Sequence, residues 1–271
     1  VSAFLLNRSS DLEITMADSF TLVWDQTGER EIESGVSKVV LYPMNTSGTG
    51  TATYNAGVAW SGVTAISENP GGADVTDLYA DNIKYASLRA AETFGFTIEA
   101  YMYPEEWAEC DGSAKAVPGV YVGQQSRKAF GLCYRTEIGS DTHPGMDKGY
   151  KLHIVYNSTA SPSGRSYATI NNSPDAISFS WEANSTPVDV AGFKPTCLIT
   201  IDSTQFVTTD QKAALLAVEQ KLYGDGTNVA ELPAPGTILT MLGYNASQAA
   251  DANDEGEETN NPANPAEPAN P

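Results

Sequence analysis

The chain has 271 residues, and its 34 acidic against 15 basic side chains give a formal charge of −19 at pH 7. This acidic balance argues against a protein that holds nucleic acid, because phosphate contacts need lysine and arginine, and against one that binds an anionic membrane surface. No apolar run approaches the roughly 20 residues of a membrane-spanning helix, so no membrane insertion is expected.

Two early segments are predicted to lie outside regular structure. Residues 1–15 precede a methionine that is typical of a protein start, and we expect them to form a mobile N-terminal extension. Their apolar stretch is too short for a signal peptide, and Arg8 follows it instead of preceding it. Residues 45–53 are rich in glycine and threonine and predict a long loop or a hairpin tip. Their glycine spacing does not match a nucleotide-binding loop.

The middle of the chain alternates apolar and polar side chains with a period of two, which predicts half-buried antiparallel strands. Each run is bounded by glycine, proline, asparagine, aspartate or serine, which end or turn strands. The runs cover residues 94–102, 130–135, 150–156, 177–183 and 197–201.

One α-helix is predicted near residues 209–223, where apolar side chains recur at helical spacing. Thr208 or the threonine after it can cap its N-terminus, and Gln211 stands at the capping-box position relative to Thr208. Gly224 supplies a natural stop, and a shorter helical turn is expected after Pro235. The sequence therefore predicts a mainly β domain, an antiparallel β-sandwich or barrel-like fold with one flanking α-helix.

Residues 244–271 form a low-complexity acidic tail, with six acidic residues, no basic residue and proline at every third position near the end. Such a composition cannot bury enough apolar area to offset the entropy of ordering, so we expect an extended, hydrated segment. It serves either as a tether or as a solubilising tail. The expected organisation is an extension at 1–15, a β domain at 16–243 and this tail.

Charge is unevenly distributed within the β domain. Residues 68–111 carry ten acidic and two basic residues, whereas residues 112–151 carry six basic and three acidic residues. Adjacent blocks of opposite sign form either a solvated mixed surface or complementary patches for self-association.

Candidate catalytic groups are sparse. The densest carboxylate group, Glu105, Glu106 and Glu109 beside Trp107, has the residue types of a glycosidase site, but such groups are common and a solvated acidic turn is the favoured interpretation. Nucleophile motifs are missing, and His153 is expected at the surface or in a second layer. The three cysteines lack metal-ligand or disulfide spacing and predict free thiols in a reducing compartment. We therefore expect no enzyme, no cofactor and no metal.

Several blocks of the sequence together resemble the major tail proteins, or tail tube proteins, of long-tailed, non-contractile phages and prophages of the siphovirus type. The most distinctive block is Leu78-Tyr79-Ala80-Asp81-Asn82-Ile83-Lys84-Tyr85. The other blocks lie at residues 24–30, 35–43, 54–64, 68–73, 94–101, 109–113, 123–136, 177–182 and 194–196. The resemblance covers about residues 20 to 243 and leaves out the N-terminal extension and the acidic tail.

This resemblance implies a structural virion protein without catalysis. Members of that family fold as a β-sandwich or barrel-like domain with a flanking helix, and six copies close into a ring. The rings stack into a tube that holds the tape-measure protein and later conducts DNA. The implied partners are copies of the chain itself, the tape-measure protein, and the tail terminator and distal tail or baseplate proteins. The implied location is the virion tail, assembled in the cytoplasm of the bacterial host.

Two groups of residues are predicted to mediate self-assembly. The 45–53 loop is expected to order when it stacks onto the next ring, through Thr46, Gly48, Thr49, Gly50 and Thr51. The opposed charge blocks are expected to meet across a contact between protomers, through Glu105, Glu106, Lys115, Arg127 and Lys128. The alternative function is a surface carbohydrate-binding or adhesive β-sandwich, with Trp60, Trp107 and Tyr121 as an exposed aromatic platform.

Overall fold

A computed structural model describes residues 22, 24–45, 53–143, 145–170 and 176–245. The predicted extension at 1–15, the loop residues 46–52 and all but the first two residues of the predicted acidic tail lie outside this part of the chain. Within the described ranges, no helix is long and apolar enough to cross a membrane.

Antiparallel strands dominate the described residues, as the period-two alternation predicted. The strands are β1 (Glu31–Asn45), β2 (Thr53–Tyr54), β3 (Val58–Ala59), β4 (Val63–Gly72), β5 (Val75–Ala80), β6 (Ile83–Arg89), β7 (Glu92–Ala100), β8 (Ala114–Val117), β9 (Val120–Val122), β10 (Phe130–Ser140), β11 (Gly149–Ala160), β12 (Phe179–Ser185) and β13 (Leu198–Asp202). The helices are α1 (Trp107–Cys110), α2 (Thr209–Tyr223) and α3 (Pro235–Met241), with a 3₁₀ turn at Ser203–Gln205.

Nine of these strands form one large sheet in the order β2-β1-β10-β11-β12-β7-β4, with β13 beside β11 and β3 beside β1. Neighbouring strands run antiparallel, so the predicted mainly β, antiparallel fold class is confirmed. The sheet curls, so that β4 at one end of the strand order approaches β1 near the other end. It is not a closed barrel, because its end strands β2 and β4 each pair on one side only among the described residues.

The sheet buries an apolar cluster on each of its two faces. One cluster is rich in aromatic residues and includes Trp60, Trp107 and Trp181 with Phe96 and Phe130. The other lies between the sheet and the helices. Side chains alternate between the faces of a strand, so a single strand such as β10 supplies both clusters.

Helix α2 begins and ends where the sequence predicted. The Thr208 hydroxyl accepts a hydrogen bond from the Gln211 N–H at 3.2 Å, and the Gln211 side chain accepts one from the Thr208 N–H at 3.1 Å. Gly224 follows the last turn at a φ of 82°, which glycine adopts without a steric penalty. The helix buries Leu215, Val218 and Leu222 against the sheet, and this burial fixes it on the face opposite the tryptophans.

Strands β4 and β7 continue past the large sheet as a second, two-stranded ladder. Hydrogen bonds from the Ala73 N–H to the Ala91 carbonyl, at 3.2 Å, and from the Ala90 N–H to the Asp74 carbonyl, at 2.8 Å, join the two parts. Strands β5 and β6 then run to a two-residue turn at 81–82, where both residues have positive φ. Tight hairpin turns of this kind match the twist of the flanking strands.

Candidate functional site

The β5–β6 hairpin exposes six large apolar side chains among the residues that the structure describes. No described part of the chain covers these side chains, and Tyr79 and Tyr85 are 70% and 75% exposed. The exposed large apolar residues are Val75, Leu78, Tyr79, Ile83, Tyr85 and Leu88. An apolar patch on a protein surface marks an interaction site more often than scattered apolar residues do.

The hairpin also has two free edges. Strands β5 and β6 pair only with each other among the described residues, so their outer backbone groups face solvent. An isolated two-stranded sheet is marginally stable in water, and its open edges are templates for pairing with another chain. Asp77 supports the ladder from its side, since it holds Lys84 at 2.8 Å and accepts a hydrogen bond from the Ser87 hydroxyl at 2.6 Å.

A second, smaller hairpin lies beyond the other end of β7. Strands β8 and β9 expose Val117, Val120, Tyr121 and Val122, each about half accessible. The hairpin borders a cleft of about 400 Å³ that is also lined by Glu105, Glu106, Glu109, Lys115 and Lys128. Because β5 and β6 adjoin the Glu92 end of β7 and α1 follows its Ala100 end, the two exposed hairpins lie at opposite ends of this strand.

The structure brings the two charge blocks together within one chain. Glu105 pairs with Lys115, and Glu109 pairs with Lys128. The Lys115 hydrogen bond holds the pKa of Glu105 below its usual range, while Glu106 lines the same cleft without a described partner.

Arg127 is likewise paired within the chain. It lies 3.3 Å from the Asp111 carboxylate, which also binds Arg165. The cations that were predicted to contact a neighbouring protomer therefore have acidic partners in their own chain. Their contribution to a contact between protomers stays a prediction.

The predicted loop contact also stays a prediction, because Thr46, Gly48, Thr49, Gly50 and Thr51 lie outside the described residues. Its flanks are described. Asn45 at the end of β1 pairs with Thr53 at the start of β2, and Met44 pairs with Tyr54. Residues 46–52 thus connect two paired antiparallel strands at one margin of the large sheet.

The adhesive alternative predicted an exposed aromatic platform, and this prediction is wrong for two of its three residues. Trp60 is 3% exposed and Trp107 is fully buried. Their ring centroids lie 4.7 Å apart, and Trp181 packs 5.5 Å from Trp107. The tryptophans lie in the core because burial of their large apolar rings stabilises the interior of the curled sheet. Tyr121 is the one residue of the predicted platform that is exposed.

His153 is largely buried, which fits the second-layer position of the two that the sequence predicted. Its side chain is 12% exposed, and its ring stacks on that of Tyr134 with centroids 4.7 Å apart. Its Nε2 lies 3.1 Å from the Thr136 hydroxyl and 3.5 Å from the Glu33 carboxylate. Its Nδ1 lies 3.5 Å from the Glu68 carboxylate, and no hydrogen-bond partner in the described ranges satisfies it.

These groups form a polar cluster instead of a metal site, and both carboxylates are about one-third exposed. The two carboxylates approach opposite nitrogens of the His153 ring, so their oxygens and the ring do not converge on one point. Within the described ranges, no His, Cys, Asp and Glu side chains gather in a way that fits a metal ion. No local sequence pattern predicts this cluster, because Glu33, Glu68 and His153 lie far apart along the chain and meet only where the sheet curls.

Burial lowers the pKa of His153 below its usual value, against the opposing influence of Glu68 and Glu33. Burial raises the pKa of Glu33, but hydrogen bonds from Lys151 and Thr136 and the charge of Lys151 outweigh it, so this pKa is lowered. At neutral pH the cluster therefore holds an uncharged imidazole beside an ionised Glu33.

No protein-family model matches this chain, and no curated protein matches it. One similar solved structure is the sheath–tube complex of an extracellular contractile injection system (PVC) in its extended state. The similarity covers 61% of this chain and 88% of that one, at 8% sequence identity and a TM-score of 0.25. A likeness this weak carries no conclusion about function.

Proposed function

We propose that the chain is a structural protein that assembles with copies of itself into stacked rings, forming the tube of a long, non-contractile phage-type tail. Hexameric rings, enclosure of a tape-measure protein, capping by terminator and distal tail proteins, and passage of DNA through the lumen belong to this proposal. So do its location in the virion tail and assembly in the cytoplasm of a bacterial host. The sequence resemblance across residues 20 to 243 supports it.

The observation that carries the proposal is the exposed β5–β6 hairpin. Full burial of a large apolar side chain stabilises by about 1.5–3 kcal/mol. The six apolar residues of the hairpin are 41% to 75% exposed. Covering them would therefore contribute roughly 1 kcal/mol each, or about 6 kcal/mol before the entropic cost of association. A monomer gains nothing from this surface, whereas an assembly does.

The two ends of β7 also favour assembly over a closed dimer. Different exposed hairpins lie at the two ends, and a contact between different surfaces propagates into rings or filaments. The excess negative charge fits a lumen along which DNA slides without adhering, because like charges repel.

The adhesive alternative is less well supported, since Trp60 and Trp107 are buried in the core. A hydrolase at Glu105 and Glu109 is also less well supported, because each carboxylate already pairs with a lysine. Retention on a glycan column would favour the first of these alternatives, and turnover that is lost in Glu105→Gln would favour the second.

Negative-stain microscopy and light scattering of the purified chain test the proposal. We expect rings or tubes from the wild type and monomers from the double variant Tyr79→Ser/Tyr85→Ser. Tyr167→Ser is the matched control, because Tyr167 is 69% exposed and lies outside the hairpin, and it should assemble as the wild type does. A wild type that stays monomeric at high concentration, or a double variant that forms normal tubes, would overturn the proposal.

A further inference from the structure

The polar cluster around His153 joins distant parts of the large sheet. Glu33 lies on β1, Tyr134 and Thr136 lie on β10, and His153 lies on β11. Glu68 lies on β4, at the far end of the strand order from β1. The Tyr134 hydroxyl donates to the Glu68 carboxylate, so the cluster fastens β4 to the β1–β10–β11 part of the sheet across the interior of the curl.

Glu68 links this polar cluster to the exposed β5–β6 hairpin through strand β4. Strand β4 leads directly into β5, with only residues 73 and 74 between them. The ladder formed by β4 and β7 pairs with the rest of the sheet only through β12 among the described strands. Side-chain contacts at Glu68 are therefore well placed to set the direction in which the hairpin leaves the body of the protein.

We infer that Glu68, Tyr134, His153 and Glu33 form an acid-released latch that holds the β5–β6 hairpin in one orientation. The latch rests on the proposed function in one respect only, namely that the hairpin is the assembly surface. It is closed when the His153 imidazole is neutral and packed beneath Tyr134. Protonation places a charge on a side chain that is 12% exposed, and we expect the imidazolium to gain more from full hydration than from the contacts it makes in the cluster.

The direction of the pH response depends on all the groups that face the His153 ring. The charged and titratable neighbours are Glu33 from β1, Glu68 from β4, Tyr134 from β10 and Lys151 from β11. The two carboxylates favour the imidazolium, whereas burial and the Lys151 ammonium oppose it. Burial is the largest of these influences, and the pKa of His153 in the closed latch lies below its usual value.

A histidine whose pKa is lowered in the closed form stabilises the closed form at pH values above its ordinary pKa, which is about 6.5. This stabilisation is lost as the pH falls through the lowered pKa. The latch should therefore be closed above about pH 6.5 and released by acidification. Each unit by which the pKa is lowered changes the ratio of closed to open forms about tenfold.

Spin-label distances in a monomer test the latch without requiring tubes. The background is the Tyr79→Ser/Tyr85→Ser double variant, with labels at Ala80→Cys on the hairpin and Gln220→Cys on α2. The three native cysteines are buried and should not be labelled. We expect a narrow distance distribution at pH 7.5 and a broad one at pH 5, a range that lies above the titration of ordinary carboxylates.

Three variants separate the latch from a general loosening of the fold. His153→Gln, which is neutral at every pH, should give the same distribution at pH 7.5 and pH 5. Tyr134→Phe, which loses the bond to Glu68, should broaden the distribution already at pH 7.5. His143→Gln is the matched control, because His143 is the only other histidine in the chain and lies in an exposed turn, and it should retain the wild-type pH response.

If His153→Gln does not fold, the titration of the two histidine ring signals by NMR in the background variant provides the second measurement. A ring signal of His153 that titrates at or above the ordinary value, or a distance distribution that does not change between pH 7.5 and pH 5, would overturn the latch. Microscopy of the wild type decides the proposed function separately. Tubes together with a pH-insensitive hairpin refute the latch alone, and a pH-sensitive hairpin without tubes refutes the proposed function alone.

Discussion

The cluster of Asp111, Arg127 and Arg165 allows a test of whether Arg127 stabilises its own chain or a contact between protomers. The Asp111 side chain is 10% exposed and is flanked by Arg127, 23% exposed, and Arg165, 31% exposed. Removing one partner of a fully buried ion pair costs about 3–5 kcal/mol, whereas an exposed pair contributes about 0–1 kcal/mol. The exposure of this cluster is intermediate, so the cost of removing one of its members should lie between these two values.

We expect Asp111→Ala to lower the free energy of unfolding by about 2 kcal/mol, because it leaves two guanidinium groups together without their carboxylate. Arg127→Ala should cost about 1 kcal/mol, since Arg165 still neutralises Asp111. The double variant should cost less than the sum of the two single variants, because the pair can be lost only once.

Urea denaturation at pH 7, in the hairpin double variant so that assembly does not contribute, measures these differences. Arg89→Ala, in the β5–β6 hairpin and outside the Asp111 cluster, serves as a control and should change the stability little. Arg127→Ala would contradict this prediction if it left the monomer as stable as before and yet abolished assembly when introduced into the otherwise wild-type chain. Arg127 would then act between protomers, as the sequence predicted.

Three further predictions concern the helix, the thiols and the 46–52 segment. Thr208→Ala should lower the free energy of unfolding by about 1 kcal/mol in thermal denaturation, because it removes the side-chain cap of α2. Thr209→Ala should leave it unchanged, and an equal loss in both variants would contradict the capping assignment. Burial raises the pKa of Cys110 and Cys133 to about 12, so a thiol reagent at pH 8 should react only after denaturation, and rapid reaction of the native chain would contradict the packing. Deletion of residues 46–52 should leave a soluble, folded chain that forms no tubes, and normal tubes from it would refute a role in stacking.

The local elements were predictable because their signals are local. The capping box at Thr208 and the stop at Gly224 set the ends of α2, and both depend on residues within one turn of the helix. Alternation placed strands at 94–102, 130–135 and 150–156, which correspond to β7, β10 and β11. The pattern is less accurate at ends, since the strand predicted at 177–183 is β12 at Phe179–Ser185.

The β5–β6 hairpin shows where a sequence pattern becomes insufficient. Its apolar residues resemble those of any half-buried strand, and nothing local tells whether a sheet covers them. Only the strand order shows that β5 and β6 leave the large sheet and, among the described residues, pair with no other strand. The same limitation affected Trp60 and Trp107, for which the sequence suggested an exposed platform and the packing gives a core.

The charge of −19 and the alternating strands were determined by the sequence itself: an acidic, mainly β chain with one capped helix. The tertiary structure decided which charges neutralise one another, which aromatic rings are buried, and which histidine is enclosed. Those outcomes depend on the curl of the sheet, which brings Glu68 on β4 to His153 on β11 and Asp111 to Arg165. Contacts between residues so distant in sequence arise from the arrangement of strands, and no local pattern encodes that arrangement.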